Sequence, residues 1–105
     1  MSPGDVVTYE VYSDGPIEQV RWQDSNGVDV VEVPLNKSWS RQMVNQTSYD
    51  PSGPNYMVMA STYGQRVSCK LTVNGAVIQT FTQIAPVATV CCLPLPGGGC
   101  LVADY

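Results

Sequence analysis

The sequence predicts an all-β fold: a small antiparallel β-sandwich of immunoglobulin-like type, with seven or eight strands and stabilising disulfide bonds. Three observations lead to this prediction. Short stretches of alternating apolar and polar residues recur along the chain, turn residues separate these stretches, and four cysteines occur in only 105 residues. A chain of this length forms one domain with a single modest core, and we find no stretch with helical periodicity.

The predicted sandwich is organised around a hairpin in the second half of the chain. Residues 67–73 alternate between apolar and polar side chains, which places Cys69 on the face that turns toward a core. Asn74 and Gly75 follow, and both tolerate the positive φ angles that a type I′ turn requires. The second arm of the hairpin is predicted to run from Ala76 to about residue 82.

The other strands are predicted from the same alternation. The first strand, residues 5–12, places Val7 and Tyr9 on one face. Turn residues at 13–16 end this strand, and Pro34 ends the third strand because proline cannot donate a hydrogen bond to a sheet. Besides the hairpin, the predicted strands cover residues 5–12, 17–24, 28–33, 38–44, 55–62 and 87–93.

These strands place the domain at residues 5–93. Residues 1–4 are interpreted as an artificial start or a linker, and residues 94–105 as a tail too rich in proline and glycine for regular structure. The longest predicted loop covers residues 45–54, which are polar and include two prolines and a glycine.

The composition excludes several classes of function. Charged residues make up only 13% of the chain, the net charge is −4, and there is no histidine. Nucleic-acid binding is not expected, because it depends on basic residues that neutralise phosphates. The Ser-His and Cys-His pairs that activate a nucleophile are missing, and acidic pairs such as Asp29 and Glu32 are interpreted as solvated surface. We therefore predict a protein that is not an enzyme and uses no cofactor.

The cysteines are interpreted as a disulfide framework formed in an oxidising compartment. Four cysteines allow three pairings, and reduced thiols are the alternative. A zinc site is not expected, because the chain has neither paired Cys-x-x-Cys spacings nor histidine. The cysteines are Cys69, Cys91, Cys92 and Cys100.

Four segments of the chain resemble the MmpS family, the small accessory membrane proteins of mycobacteria. The most specific segment is residues 67–75, Val-Ser-Cys-Lys-Leu-Thr-Val-Asn-Gly, which is similar to the family signature Val-x-Cys-Arg/Lys-Ile-Thr-Val-Asp/Asn-Gly. The resemblance extends over residues 5–92. The other three segments are residues 6–11 with the turn at 13–15, residues 20–27, and Trp39-Ser40-Arg41, a tryptophan followed by polar and basic residues.

The resemblance implies a location and a partner. Family members have one N-terminal membrane helix, which is absent from this chain, and a small extracytoplasmic β-sandwich anchored at the periplasmic face of the inner membrane. They associate with MmpL-type transporters of the resistance-nodulation-division class, which export siderophores and cell-envelope lipids. The chain is therefore expected to be a non-catalytic periplasmic accessory domain that docks on such a transporter or on another envelope assembly.

The resemblance also implies a disulfide between Cys69 and a cysteine at the end of the last strand, either Cys91 or Cys92. Adjacent residues of a strand point to opposite faces, so only one of the two can meet an inward Cys69. The alignment with the family places Cys92 at this position, which leaves Cys91 to pair with Cys100. The adjacent cysteine pair, the cysteine in the tail and the long loop at 45–54 depart from the family pattern.

Contact with a partner protein is expected at two places. The strand at residues 5–12 is interpreted as an edge strand, whose unpaired backbone groups suit β-augmentation. The loop at residues 45–54 is the second place. The candidate contact residues are Tyr9, Tyr12, Tyr49, Asp50 and Pro51.

Two alternative functions remain open from the sequence. In the first, the sandwich binds a lipid or siderophore between its sheets. In the second, the chain is an unrelated immunoglobulin-like recognition or adhesion module. The residues that would line a cavity between the sheets are Val20, Trp22, Val58 and Leu71.

Overall fold

The computed structural model describes residues 3–26, 28–46 and 56–92. Over these residues the chain forms eight β-strands. The described residues contain no helix that is long and apolar enough to cross a membrane. The strands are β1 (Val6–Ser13), β2 (Ile17–Gln23), β3 (Asp29–Glu32), β4 (Ser38–Val44), β5 (Met57–Thr62), β6 (Arg66–Val73), β7 (Ala76–Ile84) and β8 (Thr89–Cys92).

The strands form two antiparallel sheets of four strands each. The first sheet has the order β4-β1-β6-β7, and the second has the order β3-β2-β5-β8. Both sheets contribute side chains to one buried apolar cluster, so they pack face to face. The prediction of an all-β antiparallel sandwich is confirmed, and the strand order is compatible with an immunoglobulin-like arrangement.

The core follows the predicted alternation of side chains. In β1, Val7 and Tyr9 are completely buried, whereas Thr8 between them is partly exposed. Strand β5 differs because both of its faces are buried at residues 57–60. The core cluster consists of Val7, Tyr9, Val11, Ile17, Val20, Trp39, Tyr56, Val58, Ala60, Val67, Cys69, Leu71 and Cys91.

The hairpin of β6 and β7 has the predicted tight turn. Asn74 and Gly75 have φ angles of 51° and 82°, as a type I′ turn requires. The turn joins Val73 directly to its pairing partner Ala76. Strand β7 continues to Ile84, somewhat beyond the predicted end of the hairpin.

The turn between β1 and β2 carries the chain from the first sheet to the second. Asp14 fixes this turn, because its carboxylate accepts hydrogen bonds from the backbone N–H groups of Gln65 (2.8 Å) and Arg66 (3.0 Å). The turn also packs backbone against backbone, since a Cβ atom on Gly15 would lie 2.6 Å from the Cα atom of Gly64. The two turns at this end of the sandwich are therefore locked together.

Strand β1 is not the edge strand that the sequence predicts. It pairs with β4 on one side and with β6 on the other, so the sheet itself uses its backbone groups. The reason is that β2 and β3, which follow β1 in sequence, belong to the other sheet. The edges of the first sheet are β4 and β7, and those of the second are β3 and β8.

A disulfide between Cys69 and Cys91 links β6 of the first sheet to β8 of the second. The assignment of Cys92 to this bond, and with it the pairing of Cys91 with Cys100, is wrong. Cys91 pairs across the sheet with Val58, a core residue, and therefore faces inward. Cys92 is also disulfide-bonded, and Cys100 lies outside the described residues.

Candidate functional site

A groove opens along one side of the sandwich, between edge strand β3 of the second sheet and edge strand β4 of the first. We call it the β3–β4 groove. Its volume is about 470 Å³, within the range typical of ligand sites. The groove is lined by Tyr12, Glu32, Val33, Pro34, Asn36, Ser38, Trp39, Ser40 and Arg41.

The connection between β3 and β4 forms one wall of the groove and is held by the backbone. Leu35 has a positive φ of 57°, which turns the chain sharply after Pro34. The N–H of Leu35 donates to the carbonyl of Ile17 (3.1 Å), and the N–H of Ile17 donates to the carbonyl of Asn36 (2.8 Å). These two bonds fix the connection against the start of β2.

Trp39, which lines the groove, belongs to a row of three aromatic rings. Trp39 pairs with Val11 across β4 and β1 and therefore points toward the core. The ring of Trp22 lies 6.0 Å from that of Trp39 and 5.8 Å from that of Tyr9, in tilted arrangements that aromatic pairs favour. Tyr9 and Trp22 do not line the groove, and the row of rings connects Trp39 to the core.

Glu32 and Arg41 supply the charges of the groove, and they neutralise each other in an ion pair. The second carboxylate oxygen of Glu32 accepts a hydrogen bond from Trp22 Nε1 at 2.8 Å. The guanidinium of Arg41 lies 5.2 Å from the centre of the Trp39 ring, within the range of a cation–π contact. Its Nη1 atom also donates to the carbonyl of Ser40 at 2.8 Å.

Glu32 therefore has a different role from the one the sequence indicates. It was interpreted as a solvated surface residue, but it pairs with Val20 across the sheet and shares the inner face with that core residue. The signal that identifies this face is weak, because β3 has only four residues and both of its faces carry valine. The register of β3 against β2 decides which face carries Glu32. The sequence of β3 alone does not reveal this register.

Trp39 has a buried polar atom that lacks a hydrogen-bond partner among the described residues. The residue is 6% exposed, and its indole nitrogen is shielded from solvent. Within residues 3–26, 28–46 and 56–92, no atom accepts a hydrogen bond from this N–H group. Leaving a buried donor without an acceptor costs about 1–3 kcal/mol, so this N–H marks a place where an acceptor would be stabilised.

The two tyrosines predicted to contact a partner have opposite environments. Tyr12 is 50% exposed and lines the groove. Its hydroxyl donates to Glu10 at 2.8 Å, and this bond raises the pKa of Tyr12. Tyr9 is completely buried and donates to the carbonyl of Gln23 at 2.9 Å. Burial raises the pKa of Tyr9. The prediction that Tyr9 contacts a partner is wrong, because its side chain is not accessible from the surface.

The remaining predicted contact residues, Tyr49, Asp50 and Pro51, lie outside the described residues. The predicted contact of Tyr12 with a partner stays a prediction. Its position in the groove follows from the pairing of β1 with β4, which the sequence pattern does not reveal.

The cavity predicted between the sheets is occupied by the core. Val20, Val58 and Leu71 are completely buried in the core cluster, and Trp22 packs against it. A second cavity of about 240 Å³ is lined by other residues, mainly of β2 and β5. Val20, Val58 and Leu71 line neither this cavity nor the β3–β4 groove.

An exposed apolar strip continues from the groove along β3 and its flanks. Its members are each more than half exposed to solvent. Exposed apolar residues that lie beside a groove are a feature of many interaction sites. The strip consists of Val28, Val31, Val33 and Leu35.

Comparison with protein-family models found no match for this chain, and comparison with curated proteins likewise found none. The MmpS resemblance therefore rests on the four segments quoted above. Two of these segments, residues 20–27 and Trp39-Ser40-Arg41, meet in the structure through the contact of the Trp22 and Trp39 rings at the β3–β4 groove.

Proposed function

We propose that this chain is a non-catalytic periplasmic accessory domain of a mycobacterial envelope transport complex. It acts by contact with an MmpL-type transporter or another envelope assembly. Three features support the proposal: the four MmpS-like segments, the rigid sandwich, and the disulfide between its sheets, since such bonds persist in oxidising compartments.

The observation that carries the proposal is the β3–β4 groove together with the apolar strip beside it. Interaction surfaces commonly combine aromatic residues and arginine at the centre with a polar rim. The groove is lined by Trp39 and Arg41 and by the polar residues Asn36 and Ser38. Val33 belongs to both the groove and the strip, so the two form one continuous surface.

Site-specific photo-crosslinking in the mycobacterial envelope tests the proposal. A photoreactive phenylalanine analogue replaces Tyr12 in the groove, and the matched control places it at Thr80, an exposed position on the opposite edge strand β7. We expect the Tyr12 position to capture a large membrane protein, identified by mass spectrometry as a transporter or an envelope-assembly subunit. Capture at neither position, or equal capture at both, would contradict the proposal.

A small molecule bound in the groove is the second candidate. The volume of about 470 Å³ fits a siderophore or a lipid headgroup, although the lining residues differ from those that the sequence predicts for a carrier. Native mass spectrometry of the domain purified from mycobacterial envelope distinguishes the two candidates. A bound siderophore or lipid that the Tyr12→Ala variant loses would favour a carrier.

A further inference from the structure

We propose that two copies of this chain associate through strand β7, which pairs antiparallel with β7 of the second copy about a two-fold axis at Phe81. This pairing joins the first sheets of the two copies into one continuous sheet. The inference goes beyond the proposed function, because β7 and β4, the strand that borders the groove, are opposite edges of the first sheet. It is carried by the open backbone, the lack of charge and the symmetric sequence of β7.

The backbone of β7 is open on one side. Strand β7 pairs with β6, and the described part of the chain has no strand on the other side of β7. The N–H of Ala85 donates to the carbonyl of Gln65 (2.9 Å), so the backbone groups of every second residue counted back from Ala85 face β6. The N–H and C=O groups of Thr80 and Thr82 therefore point to the open edge, where both residues are exposed.

Strand β7 lacks the charge and the proline that usually protect an open edge. It has nine residues, none of them charged and none of them proline, and the bulge in its pairing with β6 lies at Ile78, near the turn. Charged residues, proline or a short length normally prevent an edge strand from pairing with another chain. The other edges have such protection, because β3 and β8 have four residues each and β4 contains Arg41. Strand β7 is therefore the described edge that is most open to a further strand.

The sequence of β7 favours a second copy as the added strand. Residues 78–84 read Ile-Gln-Thr-Phe-Thr-Gln-Ile, which is the same in both directions. Antiparallel pairing about Phe81 therefore places like residues opposite each other, with the two Phe81 side chains at the axis and Thr80 opposite Thr82 of the second copy. Two-fold interfaces require a surface that is complementary to itself, and this strand has that property.

Cross-strand contacts support this register. In it, Thr80 and Thr82 form hydrogen-bonded pairs with the second copy, in which each residue exchanges both of its backbone bonds with its partner. Phe81 is 44% exposed although it lies opposite the core residue Cys69, so its ring is accessible to the second Phe81. Aromatic pairs and threonine pairs both stabilise antiparallel sheets.

Electrostatic repulsion between the two copies is weak at this edge. Lys70 is the charged residue closest in register to Phe81, and it lies opposite Thr80 in the pairing of β6 with β7. Its ammonium group forms an ion pair with Glu10 (3.8 Å). In the continuous sheet the two Lys70 residues are three strand spacings apart, about 14 Å. This separation exceeds the Debye length of about 8 Å at physiological ionic strength.

Analytical ultracentrifugation of the purified chain tests the inference. We expect a reversible monomer–dimer equilibrium with a Kd of the order of 100 µM, because one pair of strands buries less than the ~1,200 Å² of a stable interface. Thr80→Lys places two positive side chains on diagonal positions about 7–8 Å apart across the axis. This variant is expected to weaken dimerisation at least tenfold. Gln42→Lys adds the same charge at an exposed position of β4, the opposite edge, and should leave the Kd unchanged.

Two further measurements test the register of the paired strands. In an equimolar mixture of Thr80→Lys and Thr80→Glu, opposite charges occupy the diagonal positions, so we expect mixed dimers to form more tightly than dimers of either variant alone. Thr82→Pro removes an N–H that points to the open edge and leaves the bonds to β6 in place, which proline at an edge permits. It is expected to abolish dimerisation, and circular dichroism checks that the variant is folded.

A chain that stays monomeric at millimolar concentration would overturn the inference, and so would dimers that Thr80→Lys and Gln42→Lys weaken equally. Neither result bears on the proposed function, because photo-crosslinking at Tyr12 reports on the groove at the other edge of the sheet. At Thr80, the photoreactive group is expected to capture a second copy of the chain. The product has twice the mass of the chain, which distinguishes it from the large membrane protein expected at Tyr12.

Discussion

Glu32 shows how a single carboxylate organises a surface site. It accepts hydrogen bonds from two side chains, Trp22 and Arg41, which come from different sheets. The carboxylate therefore bridges the edges of the two sheets at the groove. Arg41 in turn lies over Trp39, so this one carboxylate is connected to both tryptophans.

Glu32→Ala is expected to lower the free energy of unfolding by about 1–3 kcal/mol, because it leaves the Trp22 N–H and the Arg41 guanidinium without their acceptor. Urea denaturation followed by tryptophan fluorescence measures this loss. The control is Glu18→Ala in the adjacent strand β2, since no hydrogen bond or ion pair of Glu18 occurs among the described residues. Equal stability of the two variants would show that the bridge contributes little.

The carboxyl of Asp14 affects the stability of the domain at acidic pH. Hydrogen bonds from the backbone N–H groups of Arg66 and Gln65 lower the pKa of Asp14 below the ordinary value of 3.8. A carboxyl whose pKa is lower in the folded state stabilises the fold above its unfolded pKa. This contribution is lost as the pH falls through the folded value.

Asp14→Asn is therefore expected to reduce the melting temperature at pH 6 and to have a smaller effect once the pH has fallen through the folded pKa of Asp14, which lies below 3.8. Thermal unfolding followed by circular dichroism between pH 2 and pH 7 measures the difference between the two proteins. A difference that stays constant across this range would mean that ionisation of Asp14 does not contribute to stability.

At the scale of the strands, the disulfide is the covalent link between the sheets. Cys69 and Cys91 are separated by 22 residues, and both are buried in the core cluster. Closing a loop of this size removes conformational freedom from the unfolded chain. The chain-entropy model assigns this constraint about 3 kcal/mol of stabilisation.

We expect the double variant Cys69→Ala/Cys91→Ala to lose about 3 kcal/mol of unfolding free energy in urea denaturation. Cys92→Ala is the matched variant, since it removes the neighbouring cysteine and leaves the bond between the sheets. Peptide mapping of Cys92→Ala without reduction should still recover Cys69 linked to Cys91. Recovery of unlinked Cys69 in that variant would contradict the assignment.

The positions of the strands were predictable because turn residues mark the ends of the strands in the sequence. Asn74-Gly75 indicates its hairpin without any tertiary information, and its positive φ angles confirm the prediction. The choice between Cys91 and Cys92 was not predictable in this way. The last strand lacks an alternation of polar and apolar residues, so only its register with Val58 shows which cysteine faces the core.

At the scale of the whole molecule, the β3–β4 groove results from the stacking of two sheets. Its residues come from β1, β3, β4 and the connection between β3 and β4, and no single stretch of sequence contains the pattern. The sequence indicates that Trp39 lies beside Arg41. It does not indicate that both lie opposite Glu32, because that arrangement depends on which strands end up at the sheet edges.

The central place of β1 also has a consequence for the order in which the protein is made. Its two neighbours, β4 and β6, are synthesised later, so β1 cannot pair on both sides until the ribosome has passed residue 73. Pairings between strands that are distant in sequence form slowly. We therefore expect the first sheet to form late in the synthesis of the chain.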